Sequence, residues 1–229
     1  PTAGQHGEFG GLKVDDVYNL DGQLQELIIP PAQLQHITPN WGMRDANWFV
    51  DFPTSAKKIT AFFKKESGYD VDGVVTFNPQ IAARILDIVG TVEMPEYDLT
   101  LDSKNLFSSL QEEVEYKGDR KHPKKIITDL APKMLNKLYS AESGRWLDVF
   151  NLLVTSMEQK DILMYFRDLN LESFSADKGF SGQVKNTGSD YLMVTFTNVK
   201  GSKTDLVTDS SLKVKTTIES GDVKHKVSI

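Results

Sequence analysis

No cysteine occurs anywhere in the 229 residues. Its absence excludes disulfides, thiolate metal centres and cysteine nucleophiles together, and suits an exported protein that avoids stray oxidation. Long apolar runs are also missing, and no stretch approaches the roughly 20 residues needed to span a bilayer as a helix. Positive charge is in deficit: 26 Lys and Arg stand against 32 Asp and Glu, for a formal net charge of -6. Nucleic acid is therefore not expected as a partner, because phosphate binding usually shows as a basic balance. What is present is ordinary globular composition, 39% hydrophobic and 25% charged, enough for one large domain or a domain with a small appendage. The opening Pro1-Thr2-Ala3-Gly4-Gln5-His6-Gly7 has neither a basic nor an apolar leader pattern, so an export signal or membrane anchor is expected upstream.

Periodicity then divides the chain. Residues 16–20 (DVYNL) alternate like a short strand, with Asp21-Gly22 as a turn. A loop rich in proline (Pro30, Pro31, Pro39) leads to a helix that starts at Pro53 with Thr54 or Ser55 and stops at Gly68. Residues 71–77 (VDGVVTF) read as a buried strand, and Asn78-Pro79 opens a helix carrying Ile81, Ala82, Ile85, Leu86 and Val89. A strand at 91–94 completes a β-α-β unit, for which parallel pairing is expected. Further helices follow. One starts at Asp102 or Ser103, one spans 126–138 with Pro132 kinking or shortening it, and one bears Trp146, Val149, Phe150, Leu153, Val154 and Met157. Residues 162–166 (ILMYF) and 191–197 (YLMVTFT) read as strands. The tail alternates around Ser220-Gly221-Asp222, a hairpin signal. The expected fold is α/β, a three-layer α/β/α domain with a mixed central sheet over residues 1–204, followed by a β-hairpin at 205–229 that opens a β-rich module.

Familiar catalytic and metal motifs are missing. His6, His36, His122 and His225 lack metal-ligand spacing, and Asp70-Val71-Asp72-Gly73 lacks the remaining ligands of a calcium loop. Gly201-Ser202-Lys203-Thr204 resembles the end of a phosphate loop, but Thr197 and Ser202 replace its glycines. Gly179-Phe180-Ser181-Gly182 falls short of a nucleophile elbow, and no Asn-X-Ser/Thr sequon occurs.

Two segments could carry chemistry. Residues 41–55 (WGMRDANWFVDFPTS) set Arg44, Asp45, Asn47 and Asp51 among aromatics just before a helix N-terminus. A guanidinium binds phosphate or carboxylate bidentately, and two carboxylates can hold a divalent cation or orient a hydroxyl. The same residues could equally pin a long loop by ion pairing and capping while the aromatics fill core. The second segment, residues 117–125 (KGDRKHPKK), is a basic island ahead of a helix, suited to an anionic head group or simply solvated. Within it Arg120 best suits bidentate phosphate binding.

Several strings together look familiar. Arg44-Asp45-Ala46-Asn47-Trp48 followed by Asp51-Phe52-Pro53-Thr54-Ser55-Ala56 resembles the signature of the bacterial family called domain of unknown function 4012. So do residues 16–24 (DVYNLDGQL), Val71-Asp72-Gly73-Val74 and the opening Pro1-Thr2-Ala3-Gly4, and the similarity runs to about Lys203. That family is similar to the LytR–CpsA–Psr proteins, membrane-anchored extracytoplasmic α/β phosphotransferases. They move glycopolymers from a polyprenyl pyrophosphate carrier to peptidoglycan with a divalent cation. The enzymes' own Arg/Asp signature has no match here, so the resemblance leaves Arg44, Asp45, Asp51 and Arg120 as stand-ins. It implies Arg44, Asp45 and Asp51 as catalytic, Arg120, Asn47 and Lys121 as ligand-binding, and Asp45 and Asp51 as ligands of Mg²⁺. The expected partners are a polyprenyl-pyrophosphate glycan and a cell-wall polymer, and the expected location is the bacterial cell envelope or surface. A non-catalytic structural or adhesive module on the same fold is the alternative. A glycan-binding module using Trp41 and Trp48 is a third reading.

Overall fold

A computed structural model describes residues 14–20, 22–118, 122–142, 144–188, 190–198, 208–220 and 222–229. It divides into two compact units, one comprising Pro1–Ile28 and Asn40–Gly188 and the other Ile29–Pro39 and Ser189–Ile229. The expected boundary at 204/205 lies outside the described residues. The α/β class holds, with helices and strands mixed along the chain. No helix among the described residues is long and apolar enough to cross a membrane.

The larger unit begins with a short 3-10 turn, Val17–Asn19, where a strand is expected. The Asp16 carboxylate accepts the Tyr18 N–H at 3.2 Å, and such a side-chain cap competes successfully with an extended backbone. Helix α1 (Phe52–Ser67) starts one residue before the expected Pro53, with Asp51 as its cap, and ends where Gly68 turns left-handed at φ 77. Strand β1 (Gly73–Phe77) follows, then helix α2 (Gln80–Val89). The Asn78 side chain accepts the Gln80 N–H at 3.0 Å, as its place before Pro79 implies.

The expected parallel β-α-β unit does not form. Strand β2 (Val92–Met94) pairs antiparallel with β3 (Leu99–Leu101), the chain reversing through Pro95–Tyr97 and the left-handed Asp98. Strand β1 instead pairs antiparallel with β4 (Ile162–Phe166), Val75 opposite Met164. A β-branched run marks a strand without naming its partner, and this partner lies far along the chain. Gly73 is needed at that pairing, since a Cβ would come within 2.4 Å of the Tyr165 carbonyl oxygen.

Helices α3 (Leu106–Glu112), α4 (Lys125–Tyr139), α5 (Arg145–Glu158) and α6 (Leu169–Asp177) complete the unit. Helix α4 runs on through Pro132. The main core gathers Leu86 and Val89 of α2, Met94 and Leu101 of the β2–β3 pair, Leu106, Ile126, Leu130 and Val149. A second cluster joins Trp41, Ala46 and Phe62, and a third joins Phe52, Ala56 and Tyr165. In α5 the expected inward face is partly turned out: Phe150 is 61% exposed and Trp146 lies against Tyr139. The line that points inward is Val149, Leu153 and Ser156, and a serine on it hides the true stripe from a hydrophobicity reading.

The smaller unit contains the hairpin β5 (Lys213–Glu219) and β6 (Asp222–Ser228), in the register that pairs Glu219 with Asp222. Ser220 takes φ 55, as a two-residue hairpin turn demands. Residues 191–197, expected as a buried strand, form none, and Tyr191, Leu192, Met193 and Phe196 are exposed. An alternating apolar sequence becomes a strand only beside a neighbour that takes its backbone hydrogen bonds, and no described strand lies alongside.

Ser156 Oγ is fully buried with no hydrogen-bond partner among the described residues. Ser156→Ala is therefore expected to stabilise the chain by about 1 kcal/mol, because an unsatisfied buried hydroxyl costs about that much or more. Urea denaturation of the two proteins measures it, and a lower midpoint for the variant would contradict the assignment.

Candidate functional site

The loop before α1 is built as a scaffold. Trp41, expected among the exposed aromatics of a glycan module, is only 6% exposed and packs edge-on against Phe62 at 5.2 Å. Its indole N–H donates to the Asp45 carbonyl at 3.0 Å, and Ala46 behind it is completely buried. Met43 donates its N–H to Glu66 Oε1 at 2.8 Å. Ser55 Oγ, fully buried, donates to the Phe49 carbonyl at 2.9 Å and accepts the Phe49 N–H at 2.8 Å. Those bonds clamp the loop to the first turn of α1.

Asp51 completes the clamp. One carboxylate oxygen accepts from Thr54 N–H at 3.1 Å and from the Thr54 hydroxyl at 2.6 Å. The other accepts the Val184 N–H at 3.0 Å, so a single side chain caps α1 and holds the returning chain. Burial pushes its pKa up, but the Thr54 hydroxyl, the two backbone donors and nearby Lys57 outweigh it and leave the carboxyl below its ordinary 3.8.

Arg44 and Asp45 lie in the 3-10 turn Met43–Asp45, where Arg44 Nε meets Asp45 Oδ2 at 3.4 Å. Asn47 is exposed beyond them. Arg120 and Lys121 lie outside the described residues. The basic island nevertheless reaches the same place, because Arg44 Cζ lies 5.4 Å from the centroid of the Tyr18 ring and Lys124 Nζ lies 4.3 Å from it. An aromatic face attracts both cations and offsets part of their mutual repulsion.

Tyr18 and Lys124 line a cleft of about 740 Å³ together with Val14, Asp15, Asp16, Asn19, His122, Pro123, Lys125 and Thr128. Arg44 reaches that lining through the Tyr18 ring. Lys124 Nζ also meets Asp16 Oδ1 at 2.9 Å. Lys125 is committed elsewhere: it binds Asp129, which accepts the Tyr97 hydroxyl at 2.6 Å. Those bonds from Lys125 and Tyr97 hold the Asp129 carboxyl below its ordinary value. Lys124 is thus the lysine whose ion pair, with Asp16, lies within the cleft lining itself. Sequence reasoning favoured Arg120 over Lys124 and read Tyr18 as a strand residue. The usable signal was the aromatic-acidic string Asp15-Asp16-Val17-Tyr18, overlooked because its alternation resembles a strand.

The donor set does not fit Mg²⁺ at Asp45 and Asp51. Both Asp51 oxygens are taken, Asp45 faces Arg44, and no three His, Asp or Glu side chains gather as a metal site among the described residues. A hard divalent cation needs several oxygen ligands, and these two carboxylates are spent on donors of the chain itself.

These features define a mixed α/β unit with a cation-flanked aromatic at the edge of an open cleft. Residues 10–115 match the model of the family described as "Protein of unknown function (DUF4012)". The family resemblance read from the motifs therefore holds over that stretch, which includes the whole 41–55 loop. No curated protein and no solved structure matches the chain.

Asp51→Ala is expected to cost about 1 kcal/mol of stability through loss of the helix cap. Because the folded carboxyl titrates below 3.8, its stabilisation is complete above that value and fades as pH falls through the lower folded value. Acid unfolding of Asp51→Asn, followed by circular dichroism, should show a correspondingly shallower loss of stability below pH 4; an unchanged acid limb would show that Asp51 is not the tie described.

Proposed function

We propose that this is an extracytoplasmic cell-envelope domain that binds a polyprenyl-pyrophosphate-linked glycan, with the pyrophosphate held between Arg44 and Lys124 at the Tyr18 cleft. The observation that carries the reading is the approach of both cations, from segments far apart in the chain, to one aromatic ring. Cations that converge on one point suit a ligand with two adjacent phosphates, where charge-assisted bonds are about twice as strong as neutral ones. Val14, Pro123 and the Tyr18 ring supply apolar wall for the start of a prenyl chain. Transfer of the glycan to a cell-wall polymer is the chemistry such binding would serve, as in the LytR–CpsA–Psr phosphotransferases, with the two cations neutralising the departing lipid phosphate. Arg120, Lys121 and Asn47 are assigned to the same anion. The reading also carries a three-layer arrangement. Its support is α1 packed through Phe52 and Ala56 on Tyr165 of the β1–β4 pair, with α5 and α6 also packed on β4. A membrane anchor preceding the domain belongs to the same proposal.

A non-catalytic surface module is the second reading. It is favoured by one observation: Asp51 and Ser55, both in the family signature, spend their polar atoms on internal hydrogen bonds.

Geranylgeranyl pyrophosphate in detergent micelles is the probe for the first reading. Arg44→Ala and Lys124→Ala should each weaken its binding about tenfold, roughly the loss of one charge-assisted bond. Asp16→Asn should tighten it, since the mutation removes the carboxylate that competes for Lys124. Calorimetric titration reads all three, and affinities indistinguishable from the parent chain would remove the proposal. Tight binding without glycan transfer to a wall acceptor would select the second reading.

A further inference from the structure

Strand β1 has one edge bonded and one edge bare. The Asn78 N–H donates to the Asp161 carbonyl at 2.7 Å, and the Arg167 N–H donates to the Asp72 carbonyl at 2.8 Å. In an antiparallel pair such bonds recur at every second residue, so Val74 and Thr76 also turn their backbone groups toward β4. The N–H and C=O groups of Gly73, Val75 and Phe77 therefore point the other way. No second strand lies beside β1 among the described residues, and no described hydrogen bond reaches those groups. Strand β4 differs, since its outward Met164 N–H donates to the Phe180 carbonyl at 2.9 Å.

Free edges are usually blunted by lysine, by proline or by shortness. Here β2 and β3 have three residues each, and β5 and β6 carry Lys213, Lys215, Lys224 and Lys226. The run GVVTF has no such guard. Its side chains alternate: Val74 packs on the cluster of Phe52, Ala56 and Tyr165, while Val75 and Phe77 on the opposite face are 55% and 60% exposed. We propose that β1 pairs with β1 of a second copy of this chain, antiparallel and two-fold symmetric about Val75. That is the register that aligns all five residues. Val75 then faces its own counterpart and Gly73 faces Phe77, so each of the three outward pairs exchanges both of its N–H···O bonds. The two ends of the strand select this occupant. Gly73 leaves its backbone uncovered, and the exposed Phe77 ring of the second copy lies directly across it, once at each end. Gly73 cannot fill that space itself, since a Cβ would strike the Tyr165 carbonyl oxygen. Just outside the strand, exposed Asp72 meets exposed Asn78 of the second copy, so no like charges are opposed. No residue of the Tyr18 cleft takes part, so this pairing is independent of the proposed ligand.

Strands this short cover less than the roughly 1,200 Å² of a standard interface, so the dimer is weak and concentration-dependent. Sedimentation velocity of the full chain over a range of concentrations should show monomer passing to dimer. As it does, amide exchange at Val75 and Phe77, read by NMR, should slow about tenfold, while Val74 and Thr76 are protected throughout. Val75→Lys sets two lysines face to face only in the dimer, so it should abolish association and leave the thermal midpoint of the monomer unchanged. Val75→Glu alone should do the same. Mixing the two variants should restore association as a heterodimer, which a misfolded variant could not do. A chain monomeric at every concentration, a dimer that survives Val75→Lys, or a mixture that fails to associate overturns the proposal. So does protection of Val75 and Phe77 that is independent of concentration, which would mean that another segment of the chain occupies the edge.

Discussion

The larger unit depends on what the Asp51 carboxylate does at the start of α1. Its two oxygens tie three parts of the chain together: the loop behind it, the first turn of the helix in front, and the backbone at Val184. A carboxylate at a helix N-terminus satisfies amides that would otherwise be unpaired and meets the positive end of the helix dipole. Ser55 repeats the device one turn on by exchanging hydrogen bonds with Phe49. With both in place, the stretch from Trp41 to Phe52 has few backbone freedoms left, and Arg44 is presented at a defined point on its rim.

That rigidity makes the arrangement around Tyr18 physically intelligible. Two cations brought near one point in water repel each other, and a flexible loop would let them separate. Here Arg44 is set by the clamped loop, while Lys124 immediately precedes α4, whose Ile126 and Leu130 are buried in the core. Each position is fixed by packing that does not involve the other, so the repulsion is borne by the fold. Asp16 and the Tyr18 ring then offset part of it locally.

Much of the local structure was legible in the residues. The entry to α1 beside Pro53 and its Gly68 stop, the Asn78-Pro79 entry to α2 and the turn at Ser220 are all encoded within a few residues, and local chemistry decides them. Apart from the C-terminal hairpin, strand pairing was not legible. The run GVVTF states that a strand exists, but its partner ILMYF is chosen by which faces Phe52 and Ala56 can cover. Residues 191–197 failed for the converse reason: their pattern suits a strand, and the required neighbour is missing among the described residues. Around the Tyr18 ring, the 41–55 segment with Arg44 stood out in the sequence because a guanidinium can bind an anion bidentately. Lys124 did not, since nothing in a run of basic residues distinguishes the one whose ammonium lies over a ring contributed from residue 18.

Net charge conceals more than it reveals in this chain. A formal -6 argues against polyanions only if the charge is spread evenly, and the register of β5 with β6 shows that it is not. Alternation along each strand sends every lysine of the hairpin to one side, and pairing then doubles their density. Salt screens charges beyond about 8 Å, so local register counts for more than the sum over the chain. The Tyr18 cleft obeys the same rule on a smaller scale. A sum over the sequence has no access to either surface, because both are created by backbone geometry placing like charges side by side.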